Sequence, residues 1–293
     1  MEQNYIVATA STADRTREYL EGHKIPFISY SYVIGDESYE DDCLDSTRDA
    51  VYKRMRNGEI LTTSAINMFT YKEFFEGLIK QGKDVIFLDM SWVLSASYRF
   101  CNEAIEELKK EYPERRVINV DTRCVSGGLG LLVEKTIELY EAGESMQAVL
   151  DWIEENKLKI AHRFTVDDLT WLKRGGRVSN ASALIGTLLS IKPVLYVDNE
   201  GALVALSKAR GRKKALSEII AGVMSDIKNP DGMIIRINHA DCLEDAKFVR
   251  DQLLATYPTI KEISINNLGV VIGAHTGPGL LAVFYMTDER KKD

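Results

Sequence analysis

The chain has 293 residues, 45% of them hydrophobic and 28% charged, and carries a formal net charge of -7. That is the composition of an ordinary globular protein, longer than the commonest single domain, so two domains are expected. The acidity argues against nucleic acid as a main partner, because phosphate backbones are held by basic faces.

Met1 to Tyr5 lacks a basic segment followed by an apolar core, so no signal peptide is expected. Tyr5 to Ala10 and Phe27 to Val33 read as strands. Asp45 or Ser46 is placed to cap a helix through Tyr52 and Met55 that Gly58 ends. Tyr71 to Lys80 reads as a helix with Phe74, Phe75, Leu78 and Ile79 on one face and Gly82 as its stop. Asp84 to Asp89 is a short buried strand, Ser97 to Glu111 a helix halted by Pro113, and Arg116 to Asp121 another strand. A glycine turn, Val125-Ser126-Gly127-Gly128-Leu129-Gly130, then opens a helix that includes Leu131 to Glu141. It lacks the lysine of a phosphate loop, so close helix-strand packing is the simpler reading. This alternation with unbroken apolar strands predicts a parallel sheet covered on both faces.

The second half has a different rhythm. After a helix from Met146 to Glu155, Leu158 to Phe164 reads as extended. Val194-Leu195-Tyr196-Val197 and Ala202 to Leu206 flank Asp198 to Gly201 as a hairpin. Helices are predicted at Lys213 to Ile227 and Leu243 to Tyr257, the second capped by Asp241 with Glu244 three residues on. Strands at Gly232 to Ile237, Glu262 to Ile265 and Leu280 to Met286 complete a mixed sheet. The expected division is an N-terminal parallel-sheet α/β domain over 1–156 and a C-terminal mixed-sheet α/β domain over 157–293. Ile263 to Met286 carries His275 as its one titratable side chain short of tyrosine, yet Asn266, Asn267, four glycines and Pro278 make it strand-loop-strand rather than a membrane span.

Several segments could carry function. Leu172 to Pro193 joins a basic turn, Lys173-Arg174-Gly175-Gly176-Arg177, to a run without charge from Val178 to Ile191. Its apolar residues, Ile185, Leu188 and Leu189 among them, are not confined to one stripe, which predicts a helix buried all round. Core packing is one reading; space left for an apolar ligand beside Gly186 and the alanines is the other. Thr62-Thr63-Ser64, and Ser91 with Ser95-Ala96-Ser97, each precede a helix, at the expected carboxyl edge of the parallel sheet. Hydroxyls and free N–H groups there suit an anion, and suit helix capping equally. Gly273-Ala274-His275-Thr276-Gly277-Pro278-Gly279 sets a histidine in a glycine-dense loop, where it can bond a carboxylate or hydroxyl. His23, His162 and His239 lack such a setting and read as structural. Arg210 to Lys214 is a basic patch or a solvated helix start. The scattered Cys43, Cys101, Cys124 and Cys242 suit reduced thiols in a cytoplasm and no structural zinc. No catalytic triad, carboxylate pair or metal-ligand cluster has the spacing its chemistry needs.

Taken together, Thr62-Thr63-Ser64, Leu94-Ser95-Ala96-Ser97-Tyr98, Leu172 to Ser179 with Ile191-Lys192-Pro193, and Gly273 to Gly279 resemble the DegV family of bacterial fatty-acid-binding proteins, in the family's order. The resemblance implies a two-domain α/β protein with a long-chain fatty acid between the domains. It implies a carboxylate held by hydroxyls matching Thr63 and Ser95, beside Thr62, with His275 and Thr276 nearby. Ile185, Leu188 and Leu189 would then border the tail, and Arg174 and Arg177 would meet either the head group or a partner. It also implies a non-catalytic, cofactor-free subunit that presents its acid to a separate ATP-using fatty acid kinase, which makes an acyl phosphate for phospholipid metabolism. The chain departs from the family pattern at Ala65, Ile66, Asn67 and Ala96, where loop shape and chain selectivity should change. A second reading is an enzyme subunit similar to dihydroxyacetone kinase, with His275 engaging a small carbonyl. A third is a module with a vestigial pocket.

Overall fold

The computed structural model describes residues 3–177 and 191–290. Ile185, Leu188 and Leu189, and the helix expected around them, lie outside these residues. In the first half the chain runs β1 (Tyr5–Ala10), α1 (Arg17–Gly22), β2 (Phe27–Ile28), β3 (Ser31–Ile34), β4 (Glu37–Glu40), α2 (Asp45–Arg56), β5 (Leu61–Ser64), α3 (Met68–Ile79), β6 (Asp84–Asp89), α4 (Ser97–Glu111), β7 (Val117–Asp121), α5 (Gly127–Glu141) and α6 (Met146–Asn156). It continues through β8 (Ile160–Thr165), α7 (Leu169–Gly175), β9 (Ile191–Val197), β10 (Leu203–Arg210), α8 (Arg212–Asp226), β11 (Ile234–His239), α9 (Leu243–Thr256), β12 (Glu262–Asn267), α10 (Val270–Thr276) and β13 (Leu281–Met286).

Among the described residues the strands form three sheets. The first is parallel throughout, in the order β2-β1-β6-β7. Val85, Ile86, Phe87 and Leu88 of β6 are wholly buried, as an unbroken apolar strand requires. Helices α3 and α4 pack together over β6 and β7. The Asn67 side chain caps α3 by accepting the Thr70 N–H at 3.0 Å, and Tyr71, Phe75, Leu78 and Ile79 form its buried stripe.

The second sheet is mixed, in the order β10-β9-β8-β13-β11-β12, and only β11 and β12 run parallel. Alternate residues of its strands serve two layers. Ala161, Val194, Ile235, Val283 and Tyr285 pack under α8 and α9, whereas Phe164, Ala282 and Phe284 join the core of the first half. Between the sheets lies α5, packed on β1 and β6 and also on β8, β11 and β13. Its residues from Gly127 to Glu134 are all buried, so it needs no polar face. Gly127 abuts Phe284 and Gly128 abuts His162; a Cβ would come within 2.6 Å of the first ring and 2.1 Å of the second. The glycine turn is therefore a packing device that lets helix and sheet touch.

Two buried arginines join the halves. Arg236 of β11 reaches Glu134 of α5 at 2.9 Å, and Arg15 binds the same carboxylate. Arg290 spreads its guanidinium over the carbonyls of Arg123, Lys157, Ile160 and Asp198, at 2.7 to 3.1 Å, and over Cys124 Sγ.

Several expectations change, and the helix α2 begins at Asp45 behind Leu44 with no side-chain cap from Asp45 or Ser46. Phe27 to Val33 is not one strand: Tyr30 turns inward, its N–H bonded to Ser11 Oγ and its hydroxyl to Asp89, and the chain leaves the first sheet. The third sheet, antiparallel β4-β3-β5, was not expected. Thr62, Thr63 and Ser64 therefore stand in β5 and not at the carboxyl edge of the parallel sheet. The histidine loop is the short helix α10. Asp241 does not cap α9; it sits at φ 52° and pairs with Arg56, while Cys242 holds the cap position.

Candidate functional site

A cleft opens where β5, the loop between β6 and α4, α10 and the end of the basic turn converge. Thr63, Ser95, Arg177, His275 and Thr276 all line it. Thr62 does not. It alternates with Thr63 along β5, is exposed, and is not part of the cleft lining. Arg174 also stays outside the lining, its guanidinium 5.0 Å from the Trp171 ring. Ser91 is buried beneath the hairpin that joins β9 to β10, against Gly201, and Ser97 accepts the Ile66 N–H at 2.9 Å, tying two loops together.

Thr63 Oγ1 and His275 Nε2 lie 2.8 Å apart. Burial, reinforced by the Arg177 charge, pulls the His275 pKa down to about 4, so the ring is neutral near pH 7. Its Nδ1 faces Gly175, where a Cβ would intrude to 2.5 Å. The second half of the Lys-Arg-Gly-Gly-Arg turn is thus built around this histidine. With the proton on Nε2, His275 donates to Thr63, and the threonine hydroxyl proton is free to point into the cleft. Ser95 Oγ accepts the Ser97 N–H at 3.2 Å and also lies within hydrogen-bond reach of the Tyr30 hydroxyl in the cleft wall. Thr276 is different, since its hydroxyl donates to Ile272 O at 3.0 Å within α10. It offers the cleft a wall and no free proton. Arg177 is the cationic member of the described lining, held by Leu94 O at 3.3 Å and by Gly175 O. Two hydroxyls, a neutral histidine and an arginine together suit an anion such as a carboxylate.

Behind this polar end lies a second, smaller space. The two share Val125, Leu203, Ile272 and Thr276 as walls. Phe164, Val197, Leu268, Leu280, Ala282 and Phe284 make the inner lining almost wholly apolar. Its polar members are already occupied. His162 Nε2 accepts the Val125 N–H at 3.2 Å, so Nδ1 carries the proton and donates to Ile160 O at 3.0 Å. Burial, and then the charge of Arg290, keep His162 well below its ordinary pKa. Ser126 Oγ is engaged by Asp14 and by Asn238.

Sequence reasoning missed most of this inner wall, because its residues are ordinary apolars from several strands and loops of the second half that meet only in the fold. It also missed Asp89, buried below the cleft at the end of β6. That carboxylate accepts from Thr12, Tyr30, Tyr71 and the Met90 N–H at 2.7 to 3.1 Å and holds Tyr30 in the cleft wall. A carboxylate closing an unbroken apolar strand was the available signal. Among the described residues no group of histidine, cysteine or acidic side chains is arranged to hold a metal ion, and no helix is long and apolar enough to cross a membrane.

The family model for the DegV family, described as uncharacterised protein, matches residues 5–288. A DegV domain-containing protein of Clostridium perfringens is 40% identical over 291 residues, covering 99% of each chain. Among solved structures, a DegV family protein from Thermus thermophilus, described for its fatty acid binding, is 29% identical with a TM-score of 0.88, over 97% of this chain and 100% of the other. DegV from Bacillus subtilis, described as a fatty acid binding protein, is 31% identical with a TM-score of 0.85, over 98% and 100%.

Proposed function

We propose, on the premise that this chain belongs to the DegV family, that it binds a long-chain fatty acid, with the carboxylate at Thr63, Ser95 and Arg177 and the tail running inward. The observation that carries this reading is the junction of a polar cleft with an almost wholly apolar inner space, walled in common by Val125, Leu203, Ile272 and Thr276. The fatty acid binding described for the Thermus thermophilus and Bacillus subtilis relatives supports it.

Magnitudes assign the parts their work. Burying about ten methylenes contributes roughly 8 kcal/mol before ordering costs. A neutral hydrogen bond contributes about 1 kcal/mol. The tail supplies most of the affinity, and the Thr63–His275 pair with Ser95 orients the head group. In this reading the chain is a non-catalytic carrier in the cytoplasm that presents its carboxylate, near the exposed basic turn, to a separate ATP-using kinase. Arg174, stacked on Trp171 outside the cleft, then suits contact with that partner. Ile185, Leu188 and Leu189 remain proposed tail contacts.

Mass spectrometry of lipids extracted from the purified protein should detect a long-chain acid in near one-to-one amount. Protein that is ligand-free and also ignores added fatty acids would refute the reading. ATP consumption by the chain alone with a small ketone would support the enzyme reading instead.

A further inference from the structure

Asp89 closes β6 below the cleft, is 4% exposed, and takes two bonds at each of its carboxylate oxygens. Oδ1 accepts from Thr12 Oγ1 and from the Met90 N–H, both at 2.7 Å. Oδ2 accepts from the hydroxyls of Tyr30 at 2.7 Å and Tyr71 at 3.1 Å. The Tyr30 proton therefore points at Asp89 and away from the cleft that the residue lines. Burial, and then the Asp89 charge, hold this phenol well above its ordinary pKa, so it keeps that proton.

With its proton given to Asp89, Tyr30 has only lone pairs to offer its other neighbours. Ser95 and Ser97 are both within hydrogen-bond reach of its oxygen. Each serine already accepts one backbone N–H, Ser95 from Ser97 at 3.2 Å and Ser97 from Ile66 at 2.9 Å. Each still holds a proton of its own, for which the Tyr30 oxygen is an acceptor. Ser97 is wholly buried and outside the cleft lining. Ser95 lines the cleft, so its proton can turn either to Tyr30 or to a ligand.

Resting on the fatty-acid reading, we propose that Asp89 is a positioning residue for the head group: by claiming the phenolic proton it makes Tyr30 an internal acceptor for Ser95, in competition with the bound carboxylate. When the acid leaves, the Ser95 proton returns to Tyr30 and no donor is left unpaired in the cleft. The arrangement weakens the grip on the head group and eases release, which suits a carrier. Asp89→Asn reverses it. The amide oxygen keeps Thr12 and Met90, and the two amide N–H bonds match the two tyrosine oxygens. Tyr30 then turns its proton to Ser95, whose own proton is committed to the cleft. Tyr30→Phe reaches the same end by removing the acceptor while the Asp89 charge stays.

The test compares hexadecanoic acid with hexadecanol, which has the same tail and no charge, on the intact wild type, Asp89→Asn, Tyr30→Phe and the double variant Tyr30→Phe with Ser95→Ala. Asp89→Asn and Tyr30→Phe should each bind the acid about fivefold tighter, the worth of one competing hydrogen bond, and the alcohol within about twofold of wild type. The gain should vanish in the double variant, because it acts through Ser95. A merely structural role for Asp89 would weaken acid and alcohol together and leave their ratio unmoved. Tyr30→Phe loses one hydrogen bond and keeps the buried carboxylate, so it decides the matter even where Asp89→Asn does not fold. An acid-to-alcohol ratio that is unchanged or lowered in Tyr30→Phe overturns this proposal, whatever Asp89→Asn does, and leaves the fatty-acid reading standing. Failure of wild type to bind any long-chain acid overturns both.

Discussion

A serine or threonine hydroxyl offers one proton and two lone pairs, and what it can do for a ligand depends on which of these the protein has used. Ser95 spends a lone pair on the Ser97 N–H and faces the cleft beside Tyr30, whereas Thr276 spends its proton on Ile272 within its own helix. Ser95→Ala and Thr63→Val should each weaken fatty-acid binding by roughly tenfold, and Thr276→Val by less than about threefold, with thermal stability little changed. Titration calorimetry with one acid decides this; equal losses at all three positions would contradict the assignment. His275 makes a pH prediction. Its folded-state pKa of about 4 lies below the ordinary 6.5, so the unfolded chain takes up a proton first as pH falls. The stability that comes from keeping the ring neutral is complete above pH 6.5 and is lost as pH falls toward 4. Its loss is at most about 3 kcal/mol. His275→Asn should flatten the decline of the urea midpoint across that window, and His162, shifted in the same direction, should leave a residual slope. An unchanged slope in the variant would rule out His275 as a contributor. Thr63, Ser95 and His275 stood out in the sequence by their hydroxyl and glycine settings, and the fold brings all three to one cleft. Their separate tasks were not, because a hydrogen-bond partner many residues away leaves no mark on local sequence.

At the scale of elements, two glycines of similar appearance behave oppositely. Gly77 lies in the last turn of α3 with nothing within 4 Å of where a Cβ would sit. Gly77→Ala should stabilise the protein by up to about 1 kcal/mol through helix propensity. Gly128 sits in the first turn of α5, and a Cβ there would come within 2.1 Å of His162 Nε2. Gly128→Ala should cost about 2–3 kcal/mol, and thermal unfolding of the pair should move in opposite directions. Reading Val125 to Gly130 as close helix packing was correct in kind. The partner, a strand from the far half of the chain, could not be read from six residues. The helices α3 and α4 were legible because an apolar stripe and a stop residue, Gly82 or Pro113, are local signals. The sheet β4-β3-β5 escaped because β4 is exposed at every residue, so no apolar alternation announces it.

The whole molecule depends on side chains that bridge its halves. Arg290 is 2% exposed and binds carbonyls from both sides of the junction. Arg290→Leu removes the donors and strands those acceptors, which should cost about 4 kcal/mol. Chemical denaturation should show the loss; a variant within about 1 kcal/mol of wild type would mean that water replaces the guanidinium freely. The same junction forms the inner space, so destabilising it should also loosen grip on the tail.

The sequence by itself determined the alternating α/β architecture, the family resemblance, and the presence of two hydroxyl clusters, a basic Gly-Gly turn and a glycine-flanked histidine. These follow from local periodicity, capping and turn chemistry. Tertiary structure alone decided that Thr63 faces the cleft while Thr62 faces away, that Gly175 makes room for His275, and that side chains of β8 and β13 line one apolar space behind the cleft. Each of these is a contact between residues far apart in the chain, and strand register and sheet order, which no local pattern encodes, are what bring them together.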